Sequence, residues 1–229
     1  MGAATAALAS IAPPGVRTGC RTIAASDVVG MHDDEAASVA AAVPKRRYEF
    51  ATGRALLRAL LDVDITIPVG ADRSPQLPAG FVGSLAHTGR LAVAAVAPVA
   101  VAAALGIDVE PVTVLDGDMA RVILRPDEIG LDAHCAFTLK EVVYKAWSTL
   151  GGGIIDHHDV RLEIDEGGSF HGTVVELGTR FAGRFTVAAG HWFALVAVPA
   201  ATGRRLDKPG SLRDEGREED GTASAPTSN

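Results

Sequence analysis

Residues 91–111 read LAVAAVAPVAVAAALGIDVEP, an apolar run that ends in two carboxylates. The first 17 residues of the run carry no charge, consist mostly of alanine and valine, and contain a proline at position 98. The run is shorter than the roughly 20 strongly apolar residues that a membrane-spanning helix needs. It therefore predicts two buried strands, at 91–96 and about 99–109, with a turn at the proline.

The composition of the 229-residue chain is that of a globular protein, with 48% hydrophobic residues, enough for one large core or two small ones. The chain carries 21 Lys and Arg against 28 Asp and Glu, a net charge of −7. Nucleic acid is therefore not expected as a partner, and an anionic ligand would need a local basic patch. Cys20 and Cys135 lie far apart without metal-type spacing, so a reducing, cytoplasmic location is expected. The first residues lack the basic start of a signal peptide, and no membrane association is expected.

The segment before the apolar run predicts a helix followed by a loop. Pro44 opens PKRRYEFATGRALLRALLDV (44–63), in which Phe50, Leu57 and Leu61 recur at helical spacing. Residues 68–83 are rich in proline and glycine and predict an irregular loop.

The segment after the apolar run predicts helices followed by strands. A short helix is expected at 115–124 and a stronger one at about 134–150. The apolar stripe of the stronger helix comprises Leu139, Val142, Val143, Ala146, Trp147 and Leu150. Segments 160–165, 170–177, 183–188 and 191–198 then alternate between glycine-containing turns, which predicts an antiparallel meander.

Helix followed by strands thus occurs twice, which favours an α+β (α/β) protein of two similar halves. We expect the halves at residues 1–105 and 106–201. Residues 202–229 contain almost nothing to bury and predict a disordered tail.

Asp108 and Glu110 carry the first candidate chemistry. Side chains two positions apart share one face of a strand, so both carboxylates emerge side by side. At a separation of about 4 Å they would repel by roughly 4 kcal/mol at an effective dielectric near 20. A divalent cation such as Mg²⁺ would offset this repulsion. On spacing alone, the more common explanation is a strand end whose charged side chains are simply exposed to solvent.

The helix FTLKEVVYKAW (137–147) adds a third carboxylate. Lys140, Glu141, Tyr144 and Lys145 are expected on the side opposite the apolar stripe. Glu141 suits a metal, and the two lysines suit phosphate oxygens. The alternative is an ordinary solvated face that carries one favourable Glu141–Lys145 pair.

Five basic residues fall within the first predicted helix: Lys45, Arg46, Arg47, Arg54 and Arg58. This local excess of positive charge in an acidic chain suits phosphate binding. The same helix face could instead form ion pairs with the acidic stretch 33–35. His87, in GSLAHTGR (83–90), precedes the first apolar strand, where neighbouring backbone N–H groups could meet an anion. A histidine at a strand edge is more often a polar surface residue.

These stretches resemble the signature blocks of the Sfp-type 4′-phosphopantetheinyl transferases, especially the branch of the enterobactin-synthase enzyme and its mycobacterial relatives. The matching blocks, in order, are RRYEFATGR (46–54), GADRSPQLPAGFVGS (70–84), GSLAHTGRLAVAAVA (83–97), GIDVEP (106–111) and FTLKEVVYKAW (137–147). The resemblance covers about residues 44 to 200.

The resemblance implies a role for each matching residue. Asp108 and Glu110 would bind Mg²⁺, with Glu141 as the third ligand or as the base acting on an incoming serine. Lys140 and Lys145 would contact the phosphates of coenzyme A, and Lys145 would share in catalysis with Glu141. The 3′-phosphoadenosine end would be held by Arg46, Arg54, Arg73 and His87, in a pocket lined by Ser74, Pro75, Gln76 and Ala86.

The resemblance also implies a fold and partners. The two halves would be related by a pseudo-twofold axis within a monomer, with coenzyme A in the cleft between them. The acceptor would be a serine of a separate acyl or peptidyl carrier protein, since no Asp here is followed by Ser. Two alternatives remain: an Mg²⁺-dependent phosphohydrolase, which would not need the basic set, and a coenzyme A binding protein without turnover.

Three residues depart from the common pattern of the family. Phe137 stands where many members have Trp, Ala86 where Ser or Thr is usual, and Arg73 where Lys is common. These departures concern coenzyme A affinity more than the reaction. Separately, DHHD (156–159) suggests a weak second metal site, which adjacent histidines and flanking glycines argue against.

Overall fold

The computed structural model describes residues 2–70 and 73–201, so the tail predicted at 202–229 lies outside the described residues. The helices are α1 (Gly2–Ile11), α2 (Asp33–Ser38), α3 (Pro44–Leu61), α4 (Gly117–Ile123) and α5 (Ala133–Thr149). The strands are β1 (Arg17–Thr22), β2 (Phe81–His87), β3 (Leu91–Pro98), β4 (Ala102–Pro111), β5 (Val160–Asp165), β6 (Ser169–Val174), β7 (Thr179–Ala188) and β8 (His191–Pro199). Short 3₁₀ turns precede α2, α5 and β5 and follow β6.

The strands form two antiparallel sheets that meet along β2 and β4. The order is β1-β3-β2 in the first sheet and β4-β8-β7-β6-β5 in the second. The apolar run of 91–111 supplies β3 to one sheet and β4 to the other, with a turn at Pro98 to Val101 between them. Where the sheets meet, the Ile107 amide donates to Ser84 Oγ at 3.1 Å. The run therefore links the two sheets of the fold.

Each sheet is covered by one long helix, and a third apolar layer fills the space between the sheets. Helix α3 packs its Leu56, Leu57 and Leu61 on the three-stranded sheet. Helix α5 packs its apolar stripe on the five-stranded sheet. Helix α1 joins the layer between the sheets, which includes Leu105 and Phe193. This layered arrangement of helices on antiparallel sheets is an α+β fold.

The predicted helices and the meander are confirmed within a few residues at their ends, as are the two strands of the opening run. Helix α1 and strands β1 and β2 were not predicted from the sequence. Strand β2 occupies the end of the predicted loop, so His87 closes a strand rather than merely preceding one. The division at residue 105 and the pseudo-twofold relation between halves stay predictions. Within residues 2–70 and 73–201, no helix is long and apolar enough to cross a bilayer.

Candidate active site

Strand β4 and helix α5 together position the acidic residues. Alternate residues of β4 face α5. The first of these, Ala104, is part of the core beneath the helix, and the last two are Asp108 and Glu110. Gly106 permits the close contact, because a Cβ there would lie 1.9 Å from the Val142 carbonyl oxygen. The absence of a side chain thus lets the helix backbone approach the strand, and Lys145 reaches Asp108 as a result.

Asp108 is buried and only partly satisfied. Lys145 Nζ donates to Asp108 Oδ1 at 2.6 Å and to the Ile107 carbonyl at 3.0 Å. The other oxygen, Oδ2, is buried and has no hydrogen-bond partner among the described residues. Burial raises the pKa of Asp108, the charge of Glu141 raises it further, and Lys145 opposes both effects. The strand therefore holds a desolvated carboxylate with one oxygen available to a ligand.

The other two carboxylates each face an imidazole. Glu110 Oε2 lies 3.5 Å from His134 Nε2, and Glu141 Oε1 lies 3.6 Å from His157 Nε2. Burial and the charge of Asp108 raise the pKa of Glu110, while His134 opposes the shift. Burial also acts to raise the pKa of Glu141, but His157 and the charge of Lys145 outweigh it and leave that pKa below its ordinary value. Glu141 is therefore ionised near neutral pH.

The donor chemistry of this cluster fits a hard divalent cation. No three His, Cys, Asp or Glu side chains in the described part of the chain are arranged closely enough to hold a metal as they stand. The ammonium of Lys145 lies against Asp108, where it offsets part of the negative charge. The unpartnered Oδ2 of Asp108 and the mutual effects of the carboxylates on their pKa values are nevertheless what a cation would relieve.

A cavity of about 370 Å³ opens beside this cluster and runs between α3, β2 and α5. Its lining includes Asp108 and Lys145. It also includes residues from three other segments, of which four are basic (Arg46, Arg54, Arg73 and His87) and three are not (Ser74, Pro75 and Ala86). The fold therefore brings together residues that the sequence places up to about 100 positions apart.

Arg46, Glu49 and His87 form a contact at the cavity wall. Arg46 Nη1 donates to His87 Nε2 at 3.2 Å, and Glu49 Oε2 lies 3.7 Å from the same ring nitrogen. Because a guanidinium can only donate, Nε2 accepts here and the imidazole is neutral. Burial lowers the pKa of His87, and the charges of Arg46 and Lys145 lower it further while Glu49 opposes them. An incoming anion would reverse that balance.

Arg54 lines the cavity but also holds the protein backbone. Its Nε donates to the Ile67 carbonyl at 2.7 Å, and its guanidinium lies 4.3 Å from the centre of the Phe50 ring. Burial lowers the pKa of Arg54 to about 10, and the neighbouring Arg46 and Arg58 add to the effect. Arg54 thus remains cationic at neutral pH, with part of its hydrogen-bonding capacity used internally.

Lys140 departs from the expectation that it lies with Glu141 and Lys145 on the side away from the core. Its ammonium is buried and donates to Glu128 Oε2 at 2.6 Å and to the carbonyls of Ile123 and His157. It does not line the cavity of about 370 Å³, but it lines the smaller pocket that also contains Glu141 and His157. The lysine turns inward to pair with Glu128, which precedes it by 12 residues in sequence. The helical pattern of α5 cannot reveal this partner because Glu128 lies outside the helix. The predicted contact of Lys140 with phosphate receives no support from this position.

Other predicted residues lie at or near the cavity. Glu141 lines a smaller pocket of about 90 Å³ beside it, together with Tyr144 and His157. Gln76 lies at the base of the loop that carries Arg73, where the backbone N–H of Gln76 donates to the Pro68 carbonyl at 2.9 Å. The DHHD stretch forms a 3₁₀ turn in which His157 faces Glu141, and among the described residues it forms no separate metal cluster.

Several lining residues were not assigned a role from the sequence. Tyr144, Ser148 and Thr149 of α5 face the cavity with Lys145, as does Glu49 of α3. Helical spacing from Glu141 could have identified Tyr144 and Ser148, which lie three and seven residues further on. His134 carried no such signal, because its partner Glu110 is 24 positions away in sequence.

Comparison with known proteins relates this chain to the 4′-phosphopantetheinyl transferases. A model described as the 4′-phosphopantetheinyl transferase N-terminal domain matches residues 34–97. The 4′-phosphopantetheinyl transferase Svp of Streptomyces mobaraensis is 35% identical over 216 residues, which cover 83% of this chain and 87% of Svp. Npt of Nocardia iowensis, of the same description, is 31% identical over 201 residues, 74% of this chain and 89% of Npt. PptT of Mycobacterium tuberculosis is 31% identical over 147 residues, 58% of this chain and 64% of PptT.

The fold and site thus define a protein whose cavity is lined by basic residues and by the buried carboxylate of Asp108. The chain belongs to the 4′-phosphopantetheinyl transferase family. The resemblance drawn from the sequence blocks is confirmed.

Proposed function

We propose that the protein transfers the 4′-phosphopantetheine arm of coenzyme A to a serine of an acyl or peptidyl carrier protein. The observation that carries the proposal is the single cavity that joins a basic wall, with Arg46, Arg73 and His87, to Asp108 and Lys145. A ligand with phosphates at both ends of a nucleotide suits such a gradient of charge. A phosphohydrolase would need only the acidic end, and neither it nor a non-catalytic coenzyme A binder is favoured.

The basic wall would bind the 3′-phosphoadenosine end. Arg46 and Arg73 supply guanidinium forks, and Arg54 supplies those donors that its backbone contacts leave available. His87 is neutral without ligand, and a phosphate beside it would favour its protonation. Ser74, Pro75 and Ala86 would line the same pocket, with Gln76 supporting the loop.

Asp108, Glu110 and Glu141 would hold the divalent cation, for which we propose Mg²⁺. When bound, such an ion neutralises the pyrophosphate and the charge that develops on the leaving phosphate. Lys145 lines the cavity, and its side chain is 25% exposed. Its ammonium could therefore leave the Asp108 carboxylate and bind a phosphate oxygen of the ligand. By holding the divalent cation, the three carboxylates would help to fix the position of the phosphates of the ligand.

We propose Glu141, besides its role toward the cation, as the base that takes the proton. The serine oxygen would attack the phosphorus of the pantetheine phosphate, and the bond from that phosphorus to the oxygen of the adenosine phosphate would break. Adenosine 3′,5′-bisphosphate leaves, and the serine proton passes to Glu141 directly or through water. The lowered pKa of Glu141 keeps it ionised and able to accept.

Exposed apolar residues between β4 and α5 would offer a surface for the carrier. Val114 and Ile129 are 95% and 82% exposed, and Met119 and Val122 of α4 are also exposed. They lie in the 113–136 region that precedes and begins α5. Because carriers are usually acidic and this chain has a net charge of −7, apolar contacts must supply much of the docking.

The test is to incubate the protein with coenzyme A, Mg²⁺ and apo carriers from fatty-acid, polyketide and nonribosomal-peptide systems, and to weigh the carriers by mass spectrometry. We expect addition of phosphopantetheine to at least one carrier and none to its serine-to-alanine variant. Hydrolysis of coenzyme A without transfer would favour the phosphohydrolase. Binding of coenzyme A without any change would favour the non-catalytic protein. Omitting Mg²⁺ tests the cation.

A further inference from the structure

Ile67 is held from both sides by buried charged groups at the point where the chain enters the loop with Arg73. Its amide donates to Glu35 Oε1 at 2.8 Å, and its carbonyl accepts from Arg54 Nε at 2.7 Å. The side chain of Ile67 is fully buried. Both backbone hydrogen bonds of this residue therefore depend on side chains rather than on a strand partner.

The Glu35 carboxylate is fixed in turn by Arg58. Arg58 Nη1 donates to both carboxylate oxygens, at 2.7 Å and 2.9 Å, and Nη2 donates to the Gly30 carbonyl at 2.9 Å. The side chains of Glu35 and Arg58 are 0% and 9% exposed. Neither lines the cavity. The pair joins α2 to α3 at a distance from the ligand.

The loop that begins at Ile67 leads directly to cavity-lining residues. Pro68 accepts from the Gln76 amide at 2.9 Å, and Gly70 donates to the Ser74 carbonyl at 2.8 Å, which closes the loop on itself. Arg73 has a φ of +68°, in the left-handed region that non-glycine residues rarely adopt. A strained arginine on a closed loop keeps its direction only while the base of the loop is fixed.

We infer that Glu35, acting with Arg58, is a positioning residue for coenzyme A binding, because it fixes the base of the loop that presents Arg73 and Ser74 to the cavity. The inference rests on the proposed function. A buried ion pair is a poor source of net stability compared with apolar side chains of similar volume. What an apolar pair cannot supply is the acceptor for the Ile67 amide.

The double variant Glu35→Met/Arg58→Met separates positioning from stability. It removes both charges at similar volume and leaves the Ile67 amide without its acceptor. We expect the variant to fold with a lower melting temperature, because the Ile67 and His32 amides and the Gly30 carbonyl lose these partners. The KM for coenzyme A and the Kd for adenosine 3′,5′-bisphosphate should each rise about tenfold, and kcat should stay within about twofold at saturating coenzyme A. Glu35→Gln keeps an oxygen that can accept from the Ile67 amide and should raise the Kd less, whereas Glu35→Asp, whose shorter side chain withdraws that oxygen, should raise the Kd more.

Asp27→Asn is the matched control. Asp27 accepts from Arg21 and from Thr52 of α3 and is similarly buried, but it does not contact the 67–76 loop. It should lower the melting temperature and leave the KM for coenzyme A unchanged.

Three results would overturn the inference in different ways. Folded Glu35→Met/Arg58→Met with the wild-type Kd for adenosine 3′,5′-bisphosphate would refute it, as would a lower kcat at unchanged KM. If the double variant does not fold, equal Kd values for wild type, Glu35→Asp and Glu35→Gln would refute it instead. Failure of the wild type itself to bind coenzyme A or modify any carrier would refute the proposed function, a result distinct from these.

Discussion

Lys140 and Lys145 lie five residues apart on α5, and each ammonium lies 2.6 Å from a carboxylate oxygen, that of Glu128 or Asp108. Their surroundings differ. Lys140 is 1% exposed, and Glu128 also accepts from the Leu162 and Arg125 amides. Lys145 is 25% exposed and faces the cavity, and Asp108 keeps an oxygen without a partner among residues 2–70 and 73–201.

The difference teaches how one helix can carry a structural and a functional ion pair. Five residues advance a helix by about 500°, so the two side chains leave it roughly 140° apart. The Lys140 pair ties the end of α4, the start of β5 and α5 together, with every strong donor and acceptor used. The Lys145 pair is incompletely satisfied, and an unsatisfied buried carboxylate is typical of a site awaiting a ligand.

The largest expected effect is on transfer in Asp108→Asn. We expect kcat/KM to fall about 10³- to 10⁴-fold, because the variant removes the charge that would anchor the cation and orient Lys145. The melting temperature should stay at or above that of the wild type, since burial makes the ionised carboxylate costly. Carrier mass shift with time and a thermal melt measure the two quantities. A melt that collapses would assign Asp108 the structural role of Glu128.

Lys140→Met should show the opposite pattern. It leaves Glu128 buried without its cation, which should lower the free energy of unfolding by about 3–5 kcal/mol. Urea unfolding measures the loss, and kcat per folded molecule should change little because all three donors of Lys140 are used by Ile123, Glu128 and His157. Lys140→Met/Glu128→Leu, which removes both charges, should recover much of the stability. A selective rise in the KM for coenzyme A would instead restore the phosphate role that the sequence suggested.

The sequence predicted the long helices and the meander because their periodicity repeats over many residues. It could not reveal α1 and β1, since alanine-rich and polar segments such as Arg17–Thr22 give no clear period. The metal candidates followed from the alternation along β4. The inward turn of Lys140 did not, because Glu128 approaches it from a separate turn. Likewise, Arg54 and Glu35 both bind the backbone of Ile67. Ile67 lies in an irregular segment, and the periodicity of the sequence does not predict the path of such a segment.

Gly106→Ala tests whether the close approach of α5 to β4 is what places Lys145, unlike Lys140, in the cavity. The added Cβ would overlap the Val142 carbonyl, so the helix must shift, at about 1–3 kcal/mol of stability. Because the clash lies near Lys145, transfer should fall further than the loss of folded protein explains. Gly153→Ala is the control, since nothing lies within 4 Å of a Cβ there. Equal loss of activity and folded fraction would contradict the expectation.

The smallest effect is on the pH dependence of stability. The pKa of Asp108 is raised above its ordinary value of 3.8 by burial, so the folded protein holds this proton more tightly than the unfolded chain. The stabilising contribution is therefore present below the ordinary value and is lost as the pH rises through the raised folded pKa. Urea unfolding from about pH 4 to about pH 8 should show the advantage of Asp108→Asn growing with pH and then levelling. Asp118→Asn, at an exposed carboxylate outside the cavity, gives the slope of a surface substitution. An advantage that shrinks as pH rises would mean that pairing with Lys145 outweighs burial, and the contrast between the two ion pairs of α5 would then be one of position alone.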